Sequence, residues 1–293
     1  MTRAALALIL MLAGGKAELW SDKHGVGLRA PGGWELEEGK KRGEVALIRG
    51  PELGGVRPYG VLRDLGASPV TLEVMADNVA AAFGAAEGRT VTAQKRKQLG
   101  AFPAMRFGLS VKQDGGTGRG RLTVVRMGDK FFSLELSAIS GKFPAGAYDI
   151  IEGSIHVKWT KHKTAAGLQL EAPPGWVLAE DTQQVVALVG PVVGKRTTTI
   201  VLERLPPGVE PPQTAGKQGK TLRFLGVRRK TRHVEKRQGD DLLLMVTFYA
   251  PARTTEKHGA RPGWSCGVLM PAAASEDVLP VAAGILERVT FRP

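Results

Sequence analysis

Leu28-Arg-Ala-Pro-Gly-Gly-Trp34 and Leu170-Glu-Ala-Pro-Pro-Gly-Trp176 are one phrase written twice, at a single offset from Leu28/Leu170 through to Trp34/Trp176. The lines that follow also correspond: Val45-Ala-Leu-Ile-Arg-Gly-Pro51 with Val186-Ala-Leu-Val-Gly-Pro191, then Val61-Leu-Arg-Asp-Leu65 with Val201-Leu-Glu-Arg-Leu205. The chain therefore reads as a duplication. Each Pro-x-Gly-Trp reads as a turn that folds an indole back onto a sheet, where the ring can bury a large area. A Trp at the same place in both copies is what a shared core position produces, more readily than a ligand-stacking ring.

With 293 residues, 43% hydrophobic and 24% charged, the chain can fill two ordinary cores. Arg3, the apolar run Ala4 to Ala13 and the small residues of Gly15-Lys16-Ala17 read as an export signal cleaved after Ala17. The run is too short to span a bilayer, which needs roughly 20 residues, and no cysteine follows it to carry a lipid anchor. The expected mature chain is periplasmic or secreted and has no transmembrane segment. The expected boundaries are residues 1–17 for the signal peptide, 18–160 for the first domain and 164–293 for the second. Cys266 is the single cysteine, so no internal disulfide is available and the cores must hold the fold. It alternates with Trp264, Val268 and Met270 and reads as a buried, inert thiol.

Along each copy, short apolar runs bounded by Gly and Pro read as strands. In the first copy Ser68-Pro69 reads as a helix start, Leu72, Met75, Ala76, Val79 and Phe83 fall on one helical face, and Gly84 ends the run. The matching segment of the second copy, residues 214–225, contains Gly216 and Gly219 and is expected to be a shorter or frayed helix. Residues 113–120 read as a flexible Gly-rich hairpin loop, and residues 251–262 as a polar loop. Each copy closes with a helix; in the second, Ser275 reads as its N-cap, with Glu276 and Asp277 in the first turn and Pro280 displacing the start.

Strands, a middle helix, a hairpin and a terminal helix predict an α+β fold: two tandem α/β/α sandwich domains, each an antiparallel sheet flanked by helices. The Pro-x-Gly-Trp turn, the group Gly100, Phe102-Pro103-Ala104 and Arg106, and the closing Ser154-Ile155-His156-Val157 resemble the PsbP-like family, which includes periplasmic proteins of the DcrB type. The resemblance covers nearly the whole mature chain as two copies, although Gly239-Asp240-Asp241 of the second lacks the Pro. It implies an exported binding or assembly module without a shared catalytic set, and it transfers no functional residue.

No pattern announces a reaction. His24, His156, His162, His233 and His258 include no pair at the spacing of a helical zinc site, and no metal or cofactor is expected. Gly263-Trp-Ser-Cys-Gly267 reads as a strand, not a nucleophile elbow. Glu37-Glu38 and Asp240-Asp241 are adjacent acids at polar turns. The sharpest feature is charge. The net charge of +13 falls to +11 once Arg3 and Lys16 leave, and residues 217–237 hold nine basic residues against Glu235, which is +8 of that total. Arg228, Arg229, Lys230, Arg232, Lys236 and Arg237 are the candidate contact residues for an acidic protein partner or an anionic envelope surface. A solvated edge strand explains the same charges. Nucleic acid is not expected, since Phe224 is the only aromatic residue in the window. The expected function is a non-enzymatic binding or assembly module; the alternatives are a hydrolase with an inter-domain site and a structural component of an envelope assembly.

Overall fold

A computed structural model describes residues 17–52, 55, 57–113, 116–139, 144–206, 209, 216–238, 241–255 and 259–291. Apart from Ala17, the expected export signal lies outside them, as do Asp240 and His258. The chain divides into two compact units, one reaching to Ser68 and resuming over Leu72–Lys158, the other comprising Pro69–Thr71 and Trp159–Pro293.

The first unit runs β1 (Ala17–Ser21), β2 (Val26–Ala30), β3 (Glu35–Glu38), β4 (Glu44–Arg49), β5 (Tyr59–Ala67), α1 (Leu72–Gly84), β6 (Arg89–Leu99), β7 (Phe102–Gln113), β8 (Gly116–Met127), β9 (Lys130–Ile139), α2 (Ala145–Gly153) and β10 (His156–Val157). Seven strands form one antiparallel sheet in the order β3-β4-β5-β9-β8-β7-β6, and β1-β2-β10 form a small one. Helix α1 buries Leu72, Ala76 and Phe83, as the spacing predicts. It lies on β6, β7 and β8.

The second unit runs β11 (Thr160–Lys163), β12 (Leu168–Ala172), β13 (Val177–Asp181), β14 (Val185–Val193), β15 (Arg196–Arg204), β16 (Lys217–Phe224), β17 (Val227–Gln238), β18 (Asp241–Ala250), β19 (Arg253–Thr255), β20 (Gly259–Arg261), β21 (Trp264–Pro271), α3 (Ser275–Glu287) and β22 (Thr290–Phe291). Its large sheet has the order β13-β14-β15-β21-β18-β17-β16, strand for strand the order of the first.

The expected helix-flanked α/β/α sandwiches are not what the chain builds. Among the described residues twenty-two strands stand against three α-helices, so the fold is mostly β, organised on two large antiparallel sheets. Segment 214–225 is the clearest reversal: within it Lys217–Phe224 is strand β16, not a helix. Gly219 marks a bulge between Gln218 and Thr221 rather than a frayed turn. A Cβ at Gly219 would collide with the His233 ring and meet Thr231 Oγ1 at 2.5 Å. Three smaller expectations also change. Gly116 to Gly120 belong to β8 instead of a loop, and residues 251–262 contain the β19–β20 hairpin. Ala274, after a single 3₁₀ turn, precedes α3 as its cap, so Ser275 is inside the helix, and Pro280 is accommodated within it.

The repeated turn has the same geometry in both units. Trp34 N–H donates to Pro31 O at 3.2 Å and Trp176 N–H to Pro173 O at 3.3 Å, with Gly33 and Gly175 both at φ +82°. Positive φ at the third position is what a type II turn demands, and Gly supplies it without a Cβ clash. Each indole then lies on a glycine of the β4 or β14 region: a Cβ on Gly50 would sit 3.0 Å from Trp34 Cη2, and one on Gly190 2.8 Å from Trp176 Cε2. Trp34 and Trp176 are both buried. The Gly-Pro of each unit is thus the seat of its Trp.

Candidate interaction site

Arg106, the last residue of the group Gly100, Phe102-Pro103-Ala104 and Arg106, has a structural role. Its Nε donates to Glu152 Oε1 at 2.9 Å, its Nη2 pairs with Glu152 Oε2, and Thr123 Oγ1 donates to Glu152 Oε1 at 2.6 Å. Glu152 is only 1% exposed, so this pair anchors α2 to the face of the sheet that carries Arg106 and Thr123. Arg121 joins through Asp149 at 2.5 Å. Burial works against the Arg106 charge, and the Glu152 and Asp149 carboxylates outweigh it, raising its pKa. The opposite face of this sheet carries α1, whose Glu73 pairs with Arg96 and whose Asp77 accepts from Gln94 Nε2 at 3.4 Å.

The single thiol sits in the second sheet. Cys266 is fully buried beside Phe248 and Leu202 in the register, and burial alone pushes its pKa up. His24 hydrogen-bonds Asp64 at 2.9 Å, and His156 Nδ1 lies 2.9 Å from Ser154 O beside the Trp20 ring.

All six candidate contact residues lie on β17 and all are exposed. The strand does not present them as one strip. Side chains alternate along it, so Arg228, Lys230, Arg232 and Lys236 share one face, while Arg229 and Arg237 share the other with buried Val227 and Thr231. The register across β16 sets Arg223 beside Arg228, adding a cation to the first group. An open cleft of about 640 Å³ is lined by Arg223, Arg228, Thr221, Leu222, Glu287 and Arg288. Among the described residues no acid forms an ion pair with any of the nine basic residues of this hairpin.

The face that carries Arg228, Lys230 and Arg232 continues across the sheet as an apolar surface that sequence reading overlooked. One row of register partners runs Val177–Val189–Thr199–Leu269–Met245–Val234, and the next runs Ala187–Val201–Gly267–Thr247–Arg232. Val177 is 59% exposed, Tyr249 42%, Leu269 39% and Val201 37%. The opposite face, with Trp264, Cys266, Val268 and Met270, is buried. The signal was in β18, whose Met245 and Tyr249 are apolar on positions that strand alternation assigns to the outside.

No family model matches the chain, and no curated protein does. Several solved structures show partial likeness, among them the following three. A Bacteroides thetaiotaomicron structure is 12% identical with a TM-score of 0.37 over 55% of this chain, which spans about half (54%) of that protein's length. The cyanobacterial PsbP protein CyanoP of Synechocystis is 15% identical, TM-score 0.40, over 50% of this chain and 95% of its own. LpqN of Mycobacterium tuberculosis, described as involved in cell envelope biogenesis, is 17% identical, TM-score 0.36, over 45% of this chain and 83% of its own.

Proposed function

We propose that the chain is an exported, non-enzymatic binding or assembly module made of two tandem copies of a PsbP-related domain, and that the second copy makes its contact through the basic β16–β17 hairpin with an acidic partner or anionic envelope surface. The observation that carries the proposal is the unneutralised charge: Lys217, Lys220, Arg223, Arg228, Arg229, Lys230, Arg232, Lys236 and Arg237 crowd one hairpin, and no described acid pairs with them. Uncompensated like charge is unfavourable for folding, which favours a role in attraction. The two-copy reading is supported by the repeated turn, the repeated Trp-on-Gly contact and the shared strand order. Among the described residues no helix is long and apolar enough to cross a membrane.

The test is retention of the full chain on an anionic resin across a salt gradient. Replacing Arg228, Arg229, Lys230 and Arg232 together by Ser should move elution to distinctly lower salt. Unchanged elution would remove the basis of the proposal.

A further inference from the structure

We infer that the first unit binds a phosphate monoester in a basic cleft on the α2 face of its sheet, with Lys95 and Arg119 as the cations that meet the phosphoryl group. This site is separate from the β16–β17 hairpin and goes beyond the function proposed above. On β7, Arg106, Gly108 and Ser110 alternate onto the face that carries α2. The register sets Lys95 and Thr92 of β6 on one side of them, opposite Arg106 and Gly108, and Arg121 and Arg119 of β8 on the other, opposite Gly108 and Ser110. Residues 92 and 95 are an odd number apart and would point to opposite faces of a regular strand; the bulge between Thr92 and Gln94 brings both onto this one. Together these residues line a cleft of about 440 Å³, a volume within the range of small-molecule pockets.

Among the described residues four cations and no acid line this cleft. Two of the four are already matched. Arg106 and Arg121 pair with Glu152 and Asp149 of α2, which fixes their guanidinium groups beside the cleft. Lys97, on the same face, also acts on Asp149: burial raises the Asp149 pKa, and the Arg121 hydrogen bond with the charges of Arg121, Arg106 and Lys97 outweighs it. Lys95 and Arg119 are exposed, and among the described residues neither has an acid partner. Two uncompensated cations suit a dianion, and a phosphate monoester carries about −1.5 to −2 charges at pH 7. Its oxygens also accept from hydroxyls. Thr92 Oγ1 stands over Gly108, where a Cβ would come within 2.7 Å of it, and Ser110 lies beside Arg119. The fold does not require these charges. When both sheets are followed from the matched Val61 and Val201, the second sets Thr231, His233 and Glu235 where the first has Arg106, Gly108 and Ser110, and Leu244 and Val246 where it has Arg119 and Arg121. The His233 ring, hydrogen-bonded to Thr231 Oγ1 at 2.9 Å, takes the place of the glycine floor.

The test is calorimetric titration of the full chain with glycerol 3-phosphate at low ionic strength. The wild type should bind it saturably at a single site, and acetate, a monoanion, should not compete. Lys95→Gln and Arg119→Gln should each weaken binding by about tenfold or more, the size of a lost charge-assisted hydrogen bond. Ser110→Glu, which sets a carboxylate in the cleft, should abolish it, with circular dichroism confirming that each variant is folded. Absence of saturable binding overturns the inference, as does equal binding by the Lys95→Gln/Arg119→Gln double variant. The chain with Arg228, Arg229, Lys230 and Arg232 replaced by Ser should bind the ester as the wild type does. If it loses binding while the double variant retains it, the anion sits at the hairpin: the cleft falls and the proposed function stands. If those Ser replacements change neither ester binding nor elution from the anionic resin, and the double variant loses the ester, the cleft stands and the proposed function falls. Co-sedimentation with phosphatidylcholine vesicles containing phosphatidic acid identifies the source of the phosphoryl group. Sedimentation lost in the double variant and competed by glycerol 3-phosphate assigns it to a lipid headgroup, and ester binding without sedimentation assigns it to a soluble ester; either result sustains the inference.

Discussion

Replacing Arg106 by Met should destabilise the first unit by about 3 kcal/mol, the lower end of the range for removing one partner of a buried ion pair. The pair holds α2 to the sheet, and Glu152 is 1% exposed while Arg106 keeps 19% side-chain exposure. After the substitution Glu152 retains the Thr123 hydroxyl and, at 3.8 Å, the Arg121 guanidinium, which is why the loss falls at the low end. Arg106→Met with Glu152→Leu removes both charges and should cost less than the two single changes together, with a coupling energy of about 2 kcal/mol. Urea unfolding is followed by tryptophan fluorescence, to which the first unit contributes Trp34, edge-on at 5.9 Å from Tyr148 of α2, and the second Trp176 and Trp264, so the transition that moves is the first unit's. With a urea slope of about 2 kcal/mol/M, a loss of about 3 kcal/mol moves the midpoint down by roughly 1.5 M. A shift below about 0.3 M, or strict additivity in the double variant, would refute the assignment of Arg106 as the anchor of α2.

Gly190→Ala should destabilise the second unit by about 1–3 kcal/mol, the usual effect of overpacking, because its Cβ meets Trp176 at 2.8 Å; thermal unfolding checks this, and Ala at Gly267, which has nothing within 4 Å and no positive φ, is a control for space alone. The Asp64 carboxyl is buried, which pushes its pKa up, but hydrogen bonds from His24 and the Gly66 N–H prevail and hold it below the usual 3.8. It therefore binds fewer protons folded than unfolded, and its stabilisation is full above about pH 4 and fades as pH falls through the folded value. The stability gap between the wild type and Asp64→Asn should accordingly narrow in acid, as acid titration monitored by circular dichroism will show. Cys266 should resist a disulfide-exchange thiol reagent in the native chain and react within the unfolding time in denaturant; rapid native labelling would contradict its burial.

The sequence carried the architecture where local chemistry decides it. Pro-x-Gly-Trp needs positive φ at its Gly whatever surrounds it, and the Leu72 to Phe83 spacing makes a helix in any apolar setting. It misled where neighbours decide. Gly216 and Gly219 are helix breakers in isolation, but here Gly216 precedes an edge strand and Gly219 lies within it, at a bulge that leaves room for His233, a contact that no local pattern encodes. The basic window was legible as charge, but its division between two faces became visible only once β17 was a strand in register with β18. The open face was hidden for a further reason. Val201 and Leu269 are distant in the chain, with five strands between their own, and only the pairing of β15 with β21 brings them onto one surface.

That same long pairing shapes how the protein is made. In the first sheet the hairpins β6–β7, β7–β8 and β8–β9 close locally, whereas β5 must wait for β9, with Tyr59 opposite Ser137 and a helix and three strands between them. The second sheet repeats the arrangement, Thr199 of β15 meeting Leu269 of β21 only after β16 to β20 have been made. Each sheet is thus two locally built blocks joined along one seam, and loop-closure entropy puts that seam last and slow. A chain emerging from its N-terminus exposes the bare edge of β5 until the residues near Ser137 have appeared, so the β5–β9 and β15–β21 seams are where folding is slowest and where two nascent chains would most readily exchange halves.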